Sequence, residues 1–470
     1  MALLCIFPTG GFLLGQDRPN FIFFITDDIS DDDLGCYGNE VAQTPHLDRI
    51  AAEGRVFDRA YLPTSSCSPS RCSIISGRYP HNTGARELHT NLPDDQVTFV
   101  QKLKAAGFYT VISGKNHMNE PEKLGFEETG AGEKPSGSRD WVQLLKNRPP
   151  DRPFFCGFAS NDAHRDWQIN EHAPQFDPED MQVPPFLFDG PRTRKDLAEY
   201  YHEVSRTDTY VGEIVADLIR QGIAGNTYLV YCSDNGRPFP RCKTRLYDSG
   251  VKTPLIIWNP GKIKPGRTRA LASSIDFAPT FLELAGVEAG PTFQGVSLVP
   301  VLENPQGKVR DFAFSEHNWH VYAAHERSVR YGPWLYIHNA YPHKRNLSVE
   351  SDDSKFPAAQ ELWDRYEAGE TLPHQEDISL VPRPQTELFH VNADPHQLVN
   401  LSGRARYMAI EKMLASVLER WAGETGDNVP ENPTPDRAKG PRPGKDVRGE
   451  MPGQATGADK INRPGPVLEG

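Results

Sequence analysis

The sequence has few cysteines and no excess of basic residues, and each shortage excludes classes of protein. Its seven cysteines in 470 residues include no CxxC pair, which argues against a dense disulfide framework and against a zinc site of that spacing. Lysine and arginine number 51 against 63 aspartate and glutamate residues, so the net charge is -12 at pH 7. This balance argues against a general binder of nucleic acids or of anionic membranes. An anionic ligand would therefore need a local cluster of basic groups or a metal ion.

Long apolar runs are also missing after the N-terminus, so we expect no membrane span. The first residues, from Met1 to about Gly15, are apolar and lack lysine and arginine. They resemble the apolar region of a secretory signal without its basic start. We predict a signal peptide over residues 1–16 and a secreted or periplasmic protein. The alternative is an ordinary N-terminus that is buried or disordered.

Apolar runs alternate with helical segments, which predicts a large, mostly parallel sheet with helices on both faces. Five strands are predicted, at residues 21–26, 110–113, 154–158, 227–232 and 255–258. Helical periodicity marks residues 46–54, 97–107 and 197–222 between them. We predict that this α/β domain covers residues 17–305.

The pattern changes after about residue 306. Short antiparallel strands are predicted at 328–331 and 334–338, and a closing amphipathic helix at 409–421. Together they predict a smaller C-terminal α+β subdomain over residues 306–425. From about Gly426 the chain is rich in proline, glycine and charge, which predicts a disordered polar tail over residues 426–470.

Acidic and amide side chains follow two of the predicted strands. Asp27 and Asp28 come directly after the first strand, and Asp234 and Asn235 follow the strand that ends at Cys232. Functional groups gather at the carboxyl ends of the strands in an open α/β sheet. Three carboxylates and an amide oxygen form an all-oxygen set, which suits calcium or magnesium rather than zinc. We predict one such ion, with calcium the first choice and magnesium the second.

Simpler interpretations exist for the acidic residues taken singly. Asp27 and Asp28 alone could cap a helix or form a turn. The neighbouring run of three aspartates at residues 31–33 is typical of a solvated loop, and we leave it out of the site.

Basic groups also follow the predicted strands. Lys115 and His117 come after the second strand, His164 comes after the third, and Lys243 and Lys252 flank the stretch at residues 246–250. Any one of them alone would more often be a surface lysine or a structural histidine. Their common position after strands predicts that they point into the crevice that carries the acids.

The most specific motif is C-S-P-S-R at residues 67–71. A simple interpretation of Cys67 is a buried or disulfide-bonded cysteine. The motif resembles the signature of the formylglycine-dependent sulfatases, in which a maturation enzyme oxidises the cysteine to an aldehyde-bearing residue. The resemblance implies that Cys67 becomes formylglycine (3-oxoalanine), and that this residue is the nucleophile and a further metal ligand.

The resemblance extends from about residue 19 to residue 401, and it is strongest to the heparan N-sulfatases, the N-sulfoglucosamine sulfohydrolases. It is carried by the stretches at 44–48, 65–71, 114–117, 162–165, 233–240, 394–396 and 400–401. It implies an alkaline-phosphatase-like sandwich fold with a smaller C-terminal domain. Lys243 departs from that branch, which is expected to have arginine there, and matches the wider sulfatase family.

The resemblance also implies roles for the basic residues. Lys115, His164 and Lys243 would bind the sulfuryl oxygens, and Arg71 would hold the nucleophile. One hydroxyl of the hydrated aldehyde would attack sulfur, and the other would then lose its proton to His117. Protonation of the leaving group would fall to His164 or Lys243.

The substrate implied by the resemblance is N-sulfoglucosamine at the end of a heparan-type chain. Its sulfate would be removed in an exo mode. Arg165, Lys252 and His396 are the predicted contacts to the sugar, although Arg165 and His396 could instead make a structural salt bridge or a turn contact. Three alternatives remain open at this point. They are an O-sulfatase for other glycans such as those of algae, a phosphonate or phosphate ester hydrolase of the same superfamily, and a sulfoglycan-binding protein in which Cys67 is never oxidised.

Overall fold

The computed structural model describes residues 18–345, 347–352, 356–436 and 451–468, so the predicted signal peptide lies outside the described residues. Its strands are β1 Asn20–Thr26, β2 Arg55–Phe57, β3 Ala60–Tyr61, β4 Tyr109–Gly114, β5 Glu128–Thr129, β6 Phe154–Ala159, β7 Thr227–Ser233, β8 Leu255–Trp258, β9 Gly266–Thr268, β10 Ala272–Ser273, β11 Phe312–His317, β12 Glu326–Tyr331, β13 Trp334–Asn339 and β14 Thr386–His390. All five strands predicted from apolar runs are confirmed, as β1, β4, β6, β7 and β8.

The helices surround these strands, and short 3-10 turns link them. The α-helices are α1 Pro45–Glu53, α2 Cys67–Ser76, α3 Pro80–Thr83, α4 Phe99–Ala105, α5 Pro121–Leu124, α6 Trp141–Asn147, α7 Pro191–Arg220, α8 Asp248–Val251, α9 Phe277–Leu284, α10 Val299–Glu303, α11 Val349–Asp352, α12 Pro357–Glu367 and α13 Met408–Thr425. The 3-10 helices are Asp31–Asp33, Gly35–Tyr37, Pro178–Asp180, Ala224–Asn226, Ser274–Asp276, Pro373–Gln375 and Ala405–Tyr407.

The large sheet has the strand order β5-β4-β6-β1-β7-β8-β2-β9. Of its strand pairs, only the two made by β8 are antiparallel. Alternate side chains of β1 enter different cores. Ile22 and Phe24 pack with residues of α1, α6 and α7, whereas Phe21 and Phe23 pack with residues of α2, α4 and α9. Both faces of β1 are therefore buried, which explains why its sequence is a continuous apolar run.

The smaller sheet lies later in the chain and is antiparallel throughout, in the order β11-β12-β13-β14. Phe314 and Tyr336 from this sheet share a core with Leu414 and Trp421 of α13. The predicted α+β architecture with a short antiparallel sheet and a closing helix is confirmed. The large sheet ends at Thr268 and the small one begins at Phe312.

The prediction of a disordered tail is wrong for residues 426–436 and 451–468, while residues 437–450 lie outside the described residues. Asn82 donates hydrogen bonds to the carbonyl oxygens of Thr425 and Ala458, both at 2.8 Å. Arg86 donates through Nε to the Gly453 carbonyl, also at 2.8 Å. The segment has too few apolar residues to form a core of its own, and it is held instead by polar contacts to its backbone carbonyls and to side chains such as Asp427.

The six cysteines from Cys36 to Cys242 in the described ranges are all free thiols. None of the helices in those ranges combines the length and the apolar composition that crossing a bilayer requires.

Candidate active site

Four oxygen-bearing side chains lie together where β1 and β7 end. Asp27, Asp28, Asp234 and Asn235 are all fully buried. The Asp28 N–H donates to Asp234 Oδ1 at 3.3 Å, and Asn235 Nδ2 donates to Asp28 Oδ1. The two strands are parallel neighbours, so the residues that follow them meet at one edge of the sheet.

The donor set of this edge fits a hard divalent cation. Burial raises the pKa of Asp28 to about 7 and that of Asp234 to about 6, and the charge of Asp27 adds to both. The Asn235 Oδ1 atom is buried, and no described group donates a hydrogen bond to it. Ligand atoms of Asp27, Asp28 and Cys67 lie within 4.8 Å of one another. Crowded carboxylates and a free amide oxygen are what calcium or magnesium binds.

Cys67 is the first residue of α2, a helix that is buried along its whole length. Its S–H donates to Asp27 Oδ1 at 3.7 Å. Arg71 follows one turn later on the same face of the helix. It donates through Nε to Asp234 Oδ2 at 2.7 Å and through Nη1 to the Lys115 carbonyl at 2.8 Å. The helix therefore fixes both residues of the C-S-P-S-R motif against the acids.

Two ammonium groups neutralise the carboxylates. Lys115 forms an ion pair with Asp27, and Lys243 Nζ donates to Asp28 Oδ2 at 2.8 Å. Burial alone would raise the pKa of Asp27, but Lys115 and then His164 hold it well below its usual range. The site thus concentrates cationic groups beside Cys67 although the protein as a whole is acidic.

Two histidines complete the group around Cys67. His164 donates through Nδ1 to the Arg165 carbonyl at 2.6 Å, so Nε2 is the ring nitrogen that this hydrogen bond does not use. Burial, together with Lys115 and Lys243, lowers the pKa of His164 to about 4. His117 Nε2 shares a hydrogen bond of 2.8 Å with His89 Nδ1. Burial, Lys115 and His89 lower the pKa of His117 to about 2, so this imidazole is neutral.

Arg165, one of the predicted sugar contacts, makes a different set of interactions. Its guanidinium donates to both carboxylate oxygens of Asp196, at 2.6 and 2.7 Å. It also lies over the rings of Trp167, Phe239 and Phe356, between 4.4 and 4.8 Å from their centroids. These contacts are those of the structural salt bridge that the sequence left open as the alternative.

Lys252 and His396 also have partners outside the group around Cys67. Lys252 Nζ pairs with Asp31 Oδ2 at 2.6 Å. The His396 ring lies 6.0 Å from the ring of Phe186, and the His396 carbonyl accepts from Arg241 at 2.9 Å. Their predicted contacts to the sugar stay predictions.

The aspartate run at residues 31–33 is not a solvated loop, and that prediction is wrong for Asp31 and Asp33, which are buried. Asp33 accepts hydrogen bonds from the hydroxyls of Tyr200, at 2.6 Å, and Tyr201, at 3.2 Å. It also pairs with Arg237 at 3.1 Å. Partners that are distant in sequence make burial of the run possible.

Sequence reasoning missed three residues at this site. They are His89 beside His117, His320, whose Nδ1 shares a hydrogen bond of 2.7 Å with Ser66 Oγ, and Glu350, whose Oε1 lies 3.7 Å from Lys243 Nζ. None of them follows a strand of the large sheet, so the sequence carries no positional signal for them.

Comparison with known families identifies this arrangement. The family described as Sulfatase matches residues 19–287, which is more than half of the chain. The chain belongs to the sulfatase family. A second family, described as N-sulphoglucosamine sulphohydrolase, C-terminal, matches residues 242–339 of this sulfatase.

Individual relatives agree with this assignment. This sulfatase is 29% identical over 463 residues to human N-sulphoglucosamine sulphohydrolase, covering 88% of this chain and 92% of the relative. It is 26% identical over 474 residues to an ulvan-active sulfatase of Formosa agariphila, covering 88% of this chain and 77% of that protein. A solved structure of a complex with the substrate D-glucosamine-2-N,6-O-disulfate has a TM-score of 0.68 at 23% identity, over 86% of this chain and 98% of that one, and supports the fold.

Proposed function

We propose that this sulfatase is an exo-acting sulfohydrolase that removes sulfate from N-sulfoglucosamine at the end of heparan-type chains. The observation that carries the proposal is the concentration of four cationic or basic groups, Arg71, Lys115, His164 and Lys243, around a buried Cys67. An anionic sulfate repels nucleophiles, and such a group lowers that repulsion by preorganised charge. The similarity to human N-sulphoglucosamine sulphohydrolase directs the choice of sugar.

The chemistry rests on two additions to the chain. Conversion of Cys67 to formylglycine by a maturation enzyme would supply a hydrated aldehyde as the nucleophile. A calcium ion, or magnesium in its place, would be held by Asp27, Asp28, Asp234, Asn235 and the modified Cys67. The positive charge of this ion would acidify a hydroxyl of the hydrated aldehyde.

The residues of the chain supply binding and proton transfer. Arg71, fixed by Asp234, would hold the modified residue in place. Lys115 and Lys243, which are ammonium groups, would bind the sulfuryl oxygens. His117 would accept the proton of the second hydroxyl, because its Nδ1 is buried without a hydrogen-bond partner among the described residues. Burial and Lys115 make this imidazole a weak base in the free site, where they lower its pKa to about 2.

A second candidate is an O-sulfatase acting on another sulfated polysaccharide. Lys243 favours it, because the N-sulfatase branch is expected to have arginine at that position. The similarity to an ulvan-active sulfatase points the same way. We further propose that the protein is secreted or periplasmic, where it would meet extracellular glycans.

The proposal is tested by incubating the purified protein, with calcium present, with N-sulfoglucosamine and with a panel of O-sulfated monosaccharides. We expect free sulfate from N-sulfoglucosamine, none from the Cys67→Ala variant, and an aldehyde at Cys67 in the mass spectrum of the tryptic peptide. Release of sulfate from O-sulfated sugars alone would replace the first candidate by the second. Full activity with an unmodified Cys67 thiol would contradict the mechanism.

A further inference from the structure

Glu350 carries a buried carboxylate oxygen to which no described residue donates a hydrogen bond. The residue belongs to α11, in the C-terminal part of the chain, and is 6% exposed. Its Oε1 atom lies 3.7 Å from Lys243 Nζ. Its Oε2 atom is buried, and within the described ranges nothing donates a hydrogen bond to it. Leaving a buried acceptor unpaired is unfavourable, and more so when it is charged, so a donor from a ligand would be stabilising there.

The neighbours of Glu350 place its carboxylate beside the group around Cys67. Lys243 bridges Glu350 and Asp28, because its Nζ also donates to Asp28 Oδ2 at 2.8 Å. The charge of Glu350 reaches Asp28 itself and contributes to the raised pKa of that carboxyl. A carboxylate from the second subdomain therefore faces the residues that surround Cys67.

A carboxylate beside a sulfate-binding lysine can accept a hydrogen bond, but it repels the sulfate oxygens. It therefore needs an N–H or O–H donor on the substrate. The atom that joins sulfur to the sugar differs between the two candidate substrate classes. In a sulfamate that atom is a nitrogen with one hydrogen, whereas in a sulfate ester it is an oxygen with none.

We propose that Glu350 is a specificity-determining residue that accepts a hydrogen bond from the sulfamate N–H and thereby selects N-sulfated over O-sulfated sugars. The inference rests on the proposed sulfohydrolase function. Lys243 binds the sulfate, and Glu350 beside it accepts a hydrogen bond from the bridging atom only when that atom carries a hydrogen. An ester oxygen at that point leaves the carboxylate unpaired and brings two acceptors together, which disfavours the O-sulfated sugar.

The matched substrates are N-sulfoglucosamine and glucose 2-sulfate, which differ at the bridging atom. For the wild-type protein we expect kcat/KM to be more than about a hundredfold higher for N-sulfoglucosamine, because sites built to hydrogen-bond a substrate N–H strongly reject an analogue without it. If the ratio of kcat/KM for N-sulfoglucosamine to kcat/KM for glucose 2-sulfate is near one in the wild-type protein, the inference is overturned without any variant.

Variants then assign the selectivity to Glu350. Glu350→Met keeps the length of the side chain but removes the acceptor, and should lower the ratio at least tenfold. Glu350→Gln keeps a carbonyl acceptor and should lower it less. Glu361→Gln is the control, because Glu361 is buried in α12 but accepts from the Thr193 N–H at 2.8 Å, and it should leave the ratio unchanged.

The outcomes separate this inference from the proposed function. An unchanged ratio in folded Glu350→Met, with 4-nitrophenyl sulfate still hydrolysed, would overturn the role of Glu350 alone. If Glu350→Met does not fold, a ratio in Glu350→Gln equal to that of the Glu361→Gln control would do the same. A wild-type protein that releases sulfate from none of the three substrates would overturn the proposed function and the inference with it.

Discussion

The Cys67 thiol is a poor nucleophile where it lies. Burial raises its pKa, in spite of the neighbouring ammonium groups of Lys115 and Lys243, and the carboxylates of Asp27 and Asp234 add to the effect. The thiolate is the reactive form of cysteine, and a position at a helix N-terminus would normally favour it. Here the cost of burying a thiolate outweighs that benefit.

Proton donation to the leaving group can be tested at His164, because the negative charge of a bound sulfate would raise its low pKa and favour the protonated imidazole. We expect His164→Gln to lower kcat by about 10²–10⁴ on the sugar substrate, as for loss of a general acid. The loss should be much smaller on 4-nitrophenyl sulfate, because nitrophenolate leaves without a proton. Steady-state kinetics on both substrates measure the difference.

His172→Gln is the matched control for this experiment. Its side chain is 38% exposed and lies beside Glu171, so both activities should remain unchanged. An equal loss on both substrates in His164→Gln would contradict the role of His164 and would assign proton donation to Lys243.

The loop after β6 is the element that presents His164, and Arg165 anchors that loop to α7. The Arg165–Asp196 pair is almost fully buried, with side chains 6% and 0% exposed. The three aromatic rings around the guanidinium exclude water from it. Phe239 among them belongs to the stretch at residues 233–240 that carries the family resemblance, so this stretch supports the loop through packing.

This arrangement predicts a stability effect at Arg165. Arg165→Ala and Asp196→Ala should each lower the free energy of unfolding by about 3–5 kcal/mol, because each leaves a buried charge unpaired. The double variant should lose less than the sum, which a double-mutant cycle with urea denaturation measures. Arg192→Ala is the control, since its pair with Asp364 is exposed, and it should cost at most about 1 kcal/mol. A raised KM in Arg165→Ala with unchanged stability would instead support a sugar contact.

Five strands of the large sheet, β1, β4, β6, β7 and β8, were predictable because each is largely buried and reads as an apolar run. The other three, β2, β5 and β9, have only two or three residues and carry no such run. Once β1 and β7 are assigned, their common direction also brings Asp27 and Asp234 together. Glu350 was not predictable in this way, because α11 has four residues and shows no apolar periodicity. Its approach to Lys243 depends on how the second subdomain packs on the first.

At the scale of the whole molecule, the described parts of the C-terminal segment connect the two subdomains. Arg78 of the first subdomain donates to the carbonyls of Asp459, at 3.0 Å, and Ile461, at 2.9 Å. Trp319 of the second subdomain donates to the Pro435 carbonyl at 2.8 Å. A composition rich in proline and glycine predicted disorder, because it lacks apolar residues for a core. Composition alone does not show that arginine and tryptophan side chains elsewhere in the chain donate hydrogen bonds to the carbonyls of this segment.

Asp427 is the charged anchor of this segment. Arg327 of β12 donates to both of its carboxylate oxygens, at 2.6 and 2.8 Å, and both side chains are at most 4% exposed. Burial alone would raise the pKa of Asp427, but Arg327 and His81 hold it well below its usual range. The folded state therefore favours the ionised carboxylate, and the stability that it contributes is present above the pKa of an unfolded aspartate.

We expect Asp427→Asn to lower the free energy of unfolding by about 3–5 kcal/mol at pH 7, because it removes the nearer of the two carboxylates that pair with the buried Arg327 and leaves only Glu316, at 3.7 Å. The difference in unfolding free energy between wild type and variant should become smaller as the pH falls below about 4. In that range Asp427 takes up a proton in the unfolded state before it does so in the folded state. Urea denaturation of both proteins between pH 7 and pH 3 measures it. Glu424→Gln, at the exposed Arg420–Glu424 pair, is the control and should change stability little at any pH. A gap that stays constant with pH would mean that Asp427 anchors the segment through its shape and not through its charge.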